Sequence, residues 1–313
     1  MSRRMSGEAA PREGYPDRPV RVLVPLPPGG STEFCARMVA AEMQNILGTP
    51  FVLTQAEGEH GILALRELAR SDPYTLMVGS VNINSIVPAL FAGKLGFDAS
   101  TAITPVSKLT EFPSLLVVHA SVPARTLAEF LDYAKKTWGK VRNGTDWIGS
   151  YPDIDGLFLA RAARIQLVNV PEPGGADGLL AAVTDGKIDM VFLNARTSRR
   201  GIEAGAIKPL AVAGPVRLAG FPDVPTMGEA GFEGIGTPHW QGLFAPGRTP
   251  AAIVALLHRT VRQALQAPAL RAAFEPVDVR VTPSASPEEF AREIRAEQAR
   301  WHKVKGELGL GAE

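Results

Sequence analysis

The segment Pro25-Leu26-Pro27-Pro28-Gly29-Gly30-Ser31-Thr32 has the residue types of an anion-binding loop. Its prolines stiffen the backbone, and its two glycines let a ligand approach without a Cβ in the way. A helix starting at Ser31 leaves the N–H groups of Gly29, Gly30, Ser31 and Thr32 unpaired and pointing outward, at the positive end of its dipole. A carboxylate suits such a loop. A nucleotide does not, because the loop has neither the terminal Gly-Lys-Ser/Thr of a Walker motif nor a G-x-G-x-x-G spacing.

Other loops carry amide, hydroxyl and backbone donors, which suit hydrogen bonding more than proton transfer. They are Gln55 to Gly61 (QAEGEHG), Ser80 to Asn84 (SVNIN), Asn143 to Ser150 (NGTDWIGS) and Pro171 to Gly175 (PEPGG). The candidate ligand contacts in them are Ser80, Asn82, Asn84, Asp146, Trp147, Gly149, Ser150, Gly174 and Gly175, with Asp153 and Asn194 nearby. No catalytic residue or metal ligand is assigned. The five histidines show no H-E-x-x-H spacing, no G-x-S-x-G elbow occurs, and Glu33 cannot turn back easily onto Ser31. Glu57, Glu59, Asp146, Asp153 and Glu172 fall in or beside these loops and favour a ligand with a donor-rich or cationic group besides any carboxylate. The bland alternative is that they point into solvent, where salt screens them within about 8 Å. Trp147 offers a face for a ring or a cation.

These loops need a scaffold of strands followed by helices. Short apolar runs at Val20 to Val24, Phe51 to Thr54, Tyr74 to Val78 and Leu115 to Val118 each precede a turn and a helical stretch, the pattern of a mainly parallel sheet flanked by helices. Ile165 to Val170, Ile188 to Leu193, Pro209 to Ala213 and Gly242 to Ala245 repeat it and imply a second sheet. The expected fold class is α/β, two-lobed and like a periplasmic binding protein, with the ligand cleft between the lobes. Residues 15–119 plus 241–313 form lobe 1 and residues 120–240 form lobe 2, with hinges at His119 to Thr126 and Pro238 to Gln241. The first helix places Ala36, Val39, Ala40, Met43 and Leu47 on one face before Gly48 ends it. The last has Ser286 and Glu289 as a capping box, Pro287 at its first position, and an apolar stripe that includes Phe290, Ile294 and Trp301.

A chain of 313 residues exceeds the roughly 250 to 300 at which one core stops growing, which favours two lobes. With 33 basic and 32 acidic residues, the net charge of +1 gives no field to gather phosphate backbones, so nucleic acid is not an expected partner. The one cysteine, Cys35, rules out an internal disulfide and reads as a buried apolar residue of a helix. Residues 1–14 read as a disordered segment. Arg3 and Arg4 resemble a signal n-region, but no apolar stretch of ~7 to 15 residues follows, so an authentic start would keep the chain in the cytoplasm.

Together these marks resemble the Bug receptors, the extracytoplasmic solute-binding proteins of tripartite tricarboxylate transporters. The resemblance runs from Tyr15 to Leu310. It rests on Tyr15-Pro16-x-x-Pro19, the Pro27 to Thr32 loop, Asp72-Pro73-Tyr74-Thr75-Leu76, Gly186-Lys187-Ile188-Asp189, Phe221 to Thr226 with Glu229-Ala230-Gly231, and Ala245-Pro246 with Thr249-Pro250. It implies a monomeric periplasmic receptor without a cofactor that closes on a small organic acid and passes it to membrane permease subunits. It also implies that the loop from Pro28 to Thr32 grips one carboxylate, with further contacts from Ser80 to Asn84 and Asn143 to Ser150. The ligand loops depart from the family pattern. Gln55 to Gly61 replaces Asn-Arg-Pro-Gly-Ala-Gly-Gly, losing its arginine and gaining two glutamates, Asp153 replaces a histidine, and Pro171-Glu172-Pro173-Gly174 replaces Pro-Tyr-Lys-Gly.

Overall fold

Hydrophobic alternation in the first strand decides which face each helix covers. In β1 (Val20–Val24) the side chains of Val20, Val22 and Val24 pack with Cys35, Ala36, Val39 and Met43 of the Ser31–Leu47 helix, whereas Leu23 joins Ile62 and Leu65 on the opposite face. Each fully buried aliphatic side chain contributes about 1.5–3 kcal/mol. Gly48 ends the helix at φ 67°, a left-handed conformation that glycine adopts without steric cost, and its N–H donates to Gln44 O.

The computed structural model describes residues 14–308. The expectation of disorder over residues 1–14 therefore lies, apart from Gly14, outside the described residues. The remaining strands are β2 (Phe51–Gln55), β3 (Thr75–Ser80), β4 (Ile103–Glu111), β5 (Ser114–His119), β6 (Val141–Thr145), β7 (Leu167–Pro171), β8 (Met190–Asn194), β9 (Ile207–Ala213), β10 (Trp240–Pro246) and β11 (Arg280–Val281). A six-stranded sheet has the order β11-β4-β10-β3-β1-β2, and a five-stranded sheet the order β7-β6-β8-β5-β9. This is the two-lobed α/β architecture.

The sheets are mixed rather than purely parallel. The β1-β2, β1-β3, β6-β7 and β6-β8 pairs are parallel, while β10 runs against both of its neighbours and β5 against both of its own. Each of these two reversed strands is the first one after the chain changes sheet. The run Leu115 to Val118, expected with the first set, lies in β5 of the second sheet, while Gly242 to Ala245, grouped with the second set of runs but within the 241–313 part of lobe 1, lies in β10 of the first. The first change of sheet thus falls at Phe112 and Pro113, before the His119 to Thr126 segment. Apolar runs mark strands but do not say which sheet receives them.

The last helix, Pro287–Leu308, lies along the first sheet with Phe290, Ile294, Trp301 and Val304 buried. Ser286 Oγ accepts from Glu289 N at 3.2 Å, and the Glu289 carboxylate turns back to the amide of Ala285. Cys35 is buried, with Sγ 3.4 Å from Thr110 Oγ1, and burial pushes its thiol up to about 12. Among the described residues no helix is long and apolar enough to cross a membrane.

Candidate functional site

The carboxyl ends of β1, β2 and β3 face those of β6, β7 and β8 across a cavity of about 190 Å³. Crevices beyond the carboxyl ends of strands are where open α/β sheets bind ligands. From the first side come Leu26, Gly30, Ser31, Thr32, Glu57, His60 and Asn82. From the second come Asp146, Trp147, Tyr151, Glu172, Gly174, Gly175 and Asn194, and His239 enters from the returning crossover.

Gly30 caps the Ser31–Leu47 helix in extended geometry, φ −74° and ψ 176°, and its carbonyl accepts the first helical bond from Phe34 N at 3.1 Å. The amides of Gly30, Ser31 and Thr32 belong to the first turn, which has no intrahelical acceptors for them. The Gly29 amide, expected to join them, instead donates to Glu33 Oε2 at 3.0 Å. Glu33 is further fixed by Arg37. Ser31 Oγ accepts from Gln241 Nε2 at 3.3 Å, so its bonded partner is an amide and not a base.

Contacts between the two sides bridge the cavity. Arg196 Nη1 donates to Gly29 O at 2.9 Å, and its guanidinium lies 4.4 Å from the Phe34 ring centroid. Tyr151 N donates to Asn82 Oδ1 at 3.0 Å. The His60 and Trp147 rings stack at 5.1 Å with 26° between their planes, and those of Tyr151 and His239 at 4.5 Å with 30°. Gly149 approaches Leu90 so closely that a Cβ would lie 2.8 Å from Leu90 Cδ1.

The other residues singled out from sequence lie outside the lining. Pro28 is exposed, and Gly29 sits behind the loop against Asp177. Ser80 and Asn84 are buried beneath the cavity floor. The segment Ser80 to Asn84, read as a loop, ends β3 at Ser80 and is helical from Val81, with Asn82–Ile86 a π-type turn, and of its residues only Asn82 lines the cavity. Ser150 caps the Tyr151–Ala163 helix, and the Asp153 carboxylate folds back to accept from Gly149 N at 2.6 Å and from Asn169 Nδ2. Asp153 is thus held by the protein's own donors. Glu59 pairs with Arg66 at 2.8 Å.

The electrostatics are one-sided. Among the described residues no Lys or Arg lines the cavity, whereas Glu57, Asp146 and Glu172 do. Burial pushes Asp146 up to about 7. Burial holds His239 down to about 4, and burial, then Lys94, lowers His60. Both imidazoles are therefore neutral near pH 7. Among the described residues no group of three His, Cys, Asp or Glu is placed to hold a metal ion. Tyr151, His60, His239 and Arg196 were not selected from sequence. Only position could have flagged them, since Tyr151 opens a helix after a strand-end loop and His239 ends the crossover.

The model for the tripartite tricarboxylate transporter family receptor matches residues 35–310. The chain belongs to that receptor family. BugT of Bordetella pertussis is 31% identical, over 97% of this chain and 94% of that one. Two solved structures are similar. Rpa4515 of R. palustris with adipate has a TM-score of 0.88 at 29% identity, covering 95% of this chain and 99% of that one. MatC (Rpa3494) of Rhodopseudomonas palustris with bound malate has a TM-score of 0.84 at 32% identity, covering 93% and 99%. The protein is a solute-binding receptor of the tripartite tricarboxylate type.

Proposed function

We propose that this receptor captures one compact carboxylate in the cavity between its sheets, with the carboxylate on the amides of Gly30, Ser31 and Thr32. The observation that carries this reading is the helix N-terminus, Gly30 to Thr32, facing a cavity between the two sheets and braced from the far side by Arg196. Asn82, Trp147, Gly174, Gly175 and Asn194 shape the remaining wall, and the two lobes swing about crossovers at Phe112–Pro113 and near Pro238. The dicarboxylates in the two similar structures support the ligand class, and the small cavity favours a compact member of it. We propose further that it works outside the cytoplasmic membrane as a monomer, delivers its ligand to membrane permease subunits and turns nothing over; family membership supports the location and the delivery, and the amide partner of Ser31 supports binding without catalysis.

A thermal-shift screen over small organic acids and amino acids tests the reading. A bound solute stabilises the fold by RT ln(1 + [L]/Kd), about 2.7 kcal/mol at a hundredfold excess over Kd. A clear rise in Tm with at least one carboxylate is expected. No shift across the whole panel in folded protein would refute it.

A further inference from the structure

We infer that the ligand is a compact zwitterion, its carboxylate on the amides of Gly30 to Thr32 and its cationic amine against the Asp146 carboxylate. The inference rests on the carboxylate-receptor reading and narrows its ligand class. Asp146 follows β6 on the wall contributed by the second sheet. Its Oδ1 is sealed from solvent, and among the described residues no donor reaches it. Buried carboxylates are normally paired, because an unpaired one costs several kcal/mol to keep ionised. The nearby Asp153 shows the contrast, since Gly149 and Asn169 satisfy it.

Among the described residues, the groups that share the cavity with Asp146 supply no cation. Glu57 and His60 come from the loop after β2, Tyr151 from the helix after β6, Glu172 from the loop after β7 and His239 from the crossover. Two of these are further carboxylates, and both histidines are neutral at pH 7. The cavity therefore has one positive pole, the first turn of the Ser31–Leu47 helix, and one negative wall. That field matches a dipolar solute and repels the second carboxylate of a plain dianion. Trp147 and His239, only 9% and 7% exposed, line the same cavity, and Trp147 Nε1 and His239 Nδ1 have no partner among the described residues. The Trp147 and Tyr151 rings also offer faces to a cation.

Calorimetric titration with pairs of equal length tests this: malonate against β-alanine and succinate against γ-aminobutyrate, with alanine and proline as compact α-amino acids. The expected result is that an amine-bearing ligand binds wild type more tightly than any dianion, and that Asp146→Asn weakens it by about tenfold or more without weakening the dianions. Wild type alone gives a second readout. The amine-bearing ligand should bind more tightly from pH 6 to pH 8 as Asp146 ionises, and a dianion more weakly. Tighter binding of a dianion by wild type, with neither an Asp146→Asn effect nor that pH trend, would overturn the inference and leave the receptor reading intact. Binding of no carboxylate of either kind by folded protein would instead refute the receptor reading, and the inference with it.

Discussion

Arg196 Nη1 donates to Gly29 O at 2.9 Å, joining a helix of the second sheet to the Pro25 to Thr32 loop of the first. That carbonyl shares a peptide plane with the Gly30 N–H, so the guanidinium polarises an amide that lines the cavity while holding the two sides together.

Replacing Arg196 with Met keeps much of the apolar stem over Phe34 but removes the charged donor. A hydrogen bond to a charged group contributes about 1.5–3 kcal/mol. We expect ligand affinity to fall at least about tenfold while Tm of the ligand-free protein changes little. Calorimetry on both proteins checks it, and unchanged affinity would show that the contact does not support binding.

The two loop glycines should respond differently to alanine. At Gly29, φ is +88° and a Cβ would lie 2.1 Å from Asp177 Oδ2, the carboxylate that pairs with Arg200. At Gly30, φ is −74° and a Cβ meets nothing nearer than 3.8 Å. Gly29→Ala should cost about 1–2 kcal/mol or more, and Gly30→Ala close to nothing. Equal losses of Tm in scanning calorimetry would contradict this.

The Pro25 to Thr32 loop and the helix that follows it were legible because proline, glycine and the helix start are contiguous in sequence. The Ser80 to Asn84 segment was not. Its Ser and Asn residues signal a turn, but packing under the last helix, with Gln298 Nε2 donating to Asn84 O at 2.9 Å, draws it into a helical turn. β4 was missed because Pro105, Ser107, Lys108 and Thr110 break up its apolar character, although β10 and β11 pair with it on either side. The cavity contacts of Tyr151 and His239 arise from pairings far apart in sequence, which no local pattern encodes.

Stability should fall as pH rises from about 5 to 7.5. Burial lifts Asp146 from 3.8 to about 7 and Asp155 from 3.8 to about 6, so the folded chain keeps protons that the unfolded chain releases, and their stabilisation is lost as pH climbs to those values. His239, lowered from 6.5 to about 4, acts in the opposite sense, since the unfolded chain binds its proton first and stability rises with pH up to about 6.5. The two carboxyls outweigh the imidazole by roughly 2 kcal/mol over this range. Ligand-free wild type should therefore melt at a higher temperature at pH 5 than at pH 7.5, and Asp146→Asn should flatten or reverse the slope. A wild-type Tm that rises across the range would refute the assignment.

A second contact ties the lobes far from the ligand. Asp278, beside β11, accepts from Arg199 Nη2 at 2.8 Å and from Gly220 N at 2.9 Å. Arg199→Gln leaves Asp278 largely buried with half of its partners, so we expect a larger radius of gyration in X-ray scattering of the ligand-free protein and a several-fold weaker affinity. An unchanged scattering profile would mean that the pair is not a latch.

The most direct measurement is calorimetric titration of wild type and Gly30→Pro with compact carboxylates. The φ of −74° at Gly30 is one that proline adopts, so the variant should fold while lacking the amide donor at the centre of the loop. We expect saturable one-to-one binding of at least one carboxylate by wild type and its loss in folded Gly30→Pro. Equal binding by the two proteins would contradict a carboxylate held at the N-terminus of the Ser31–Leu47 helix.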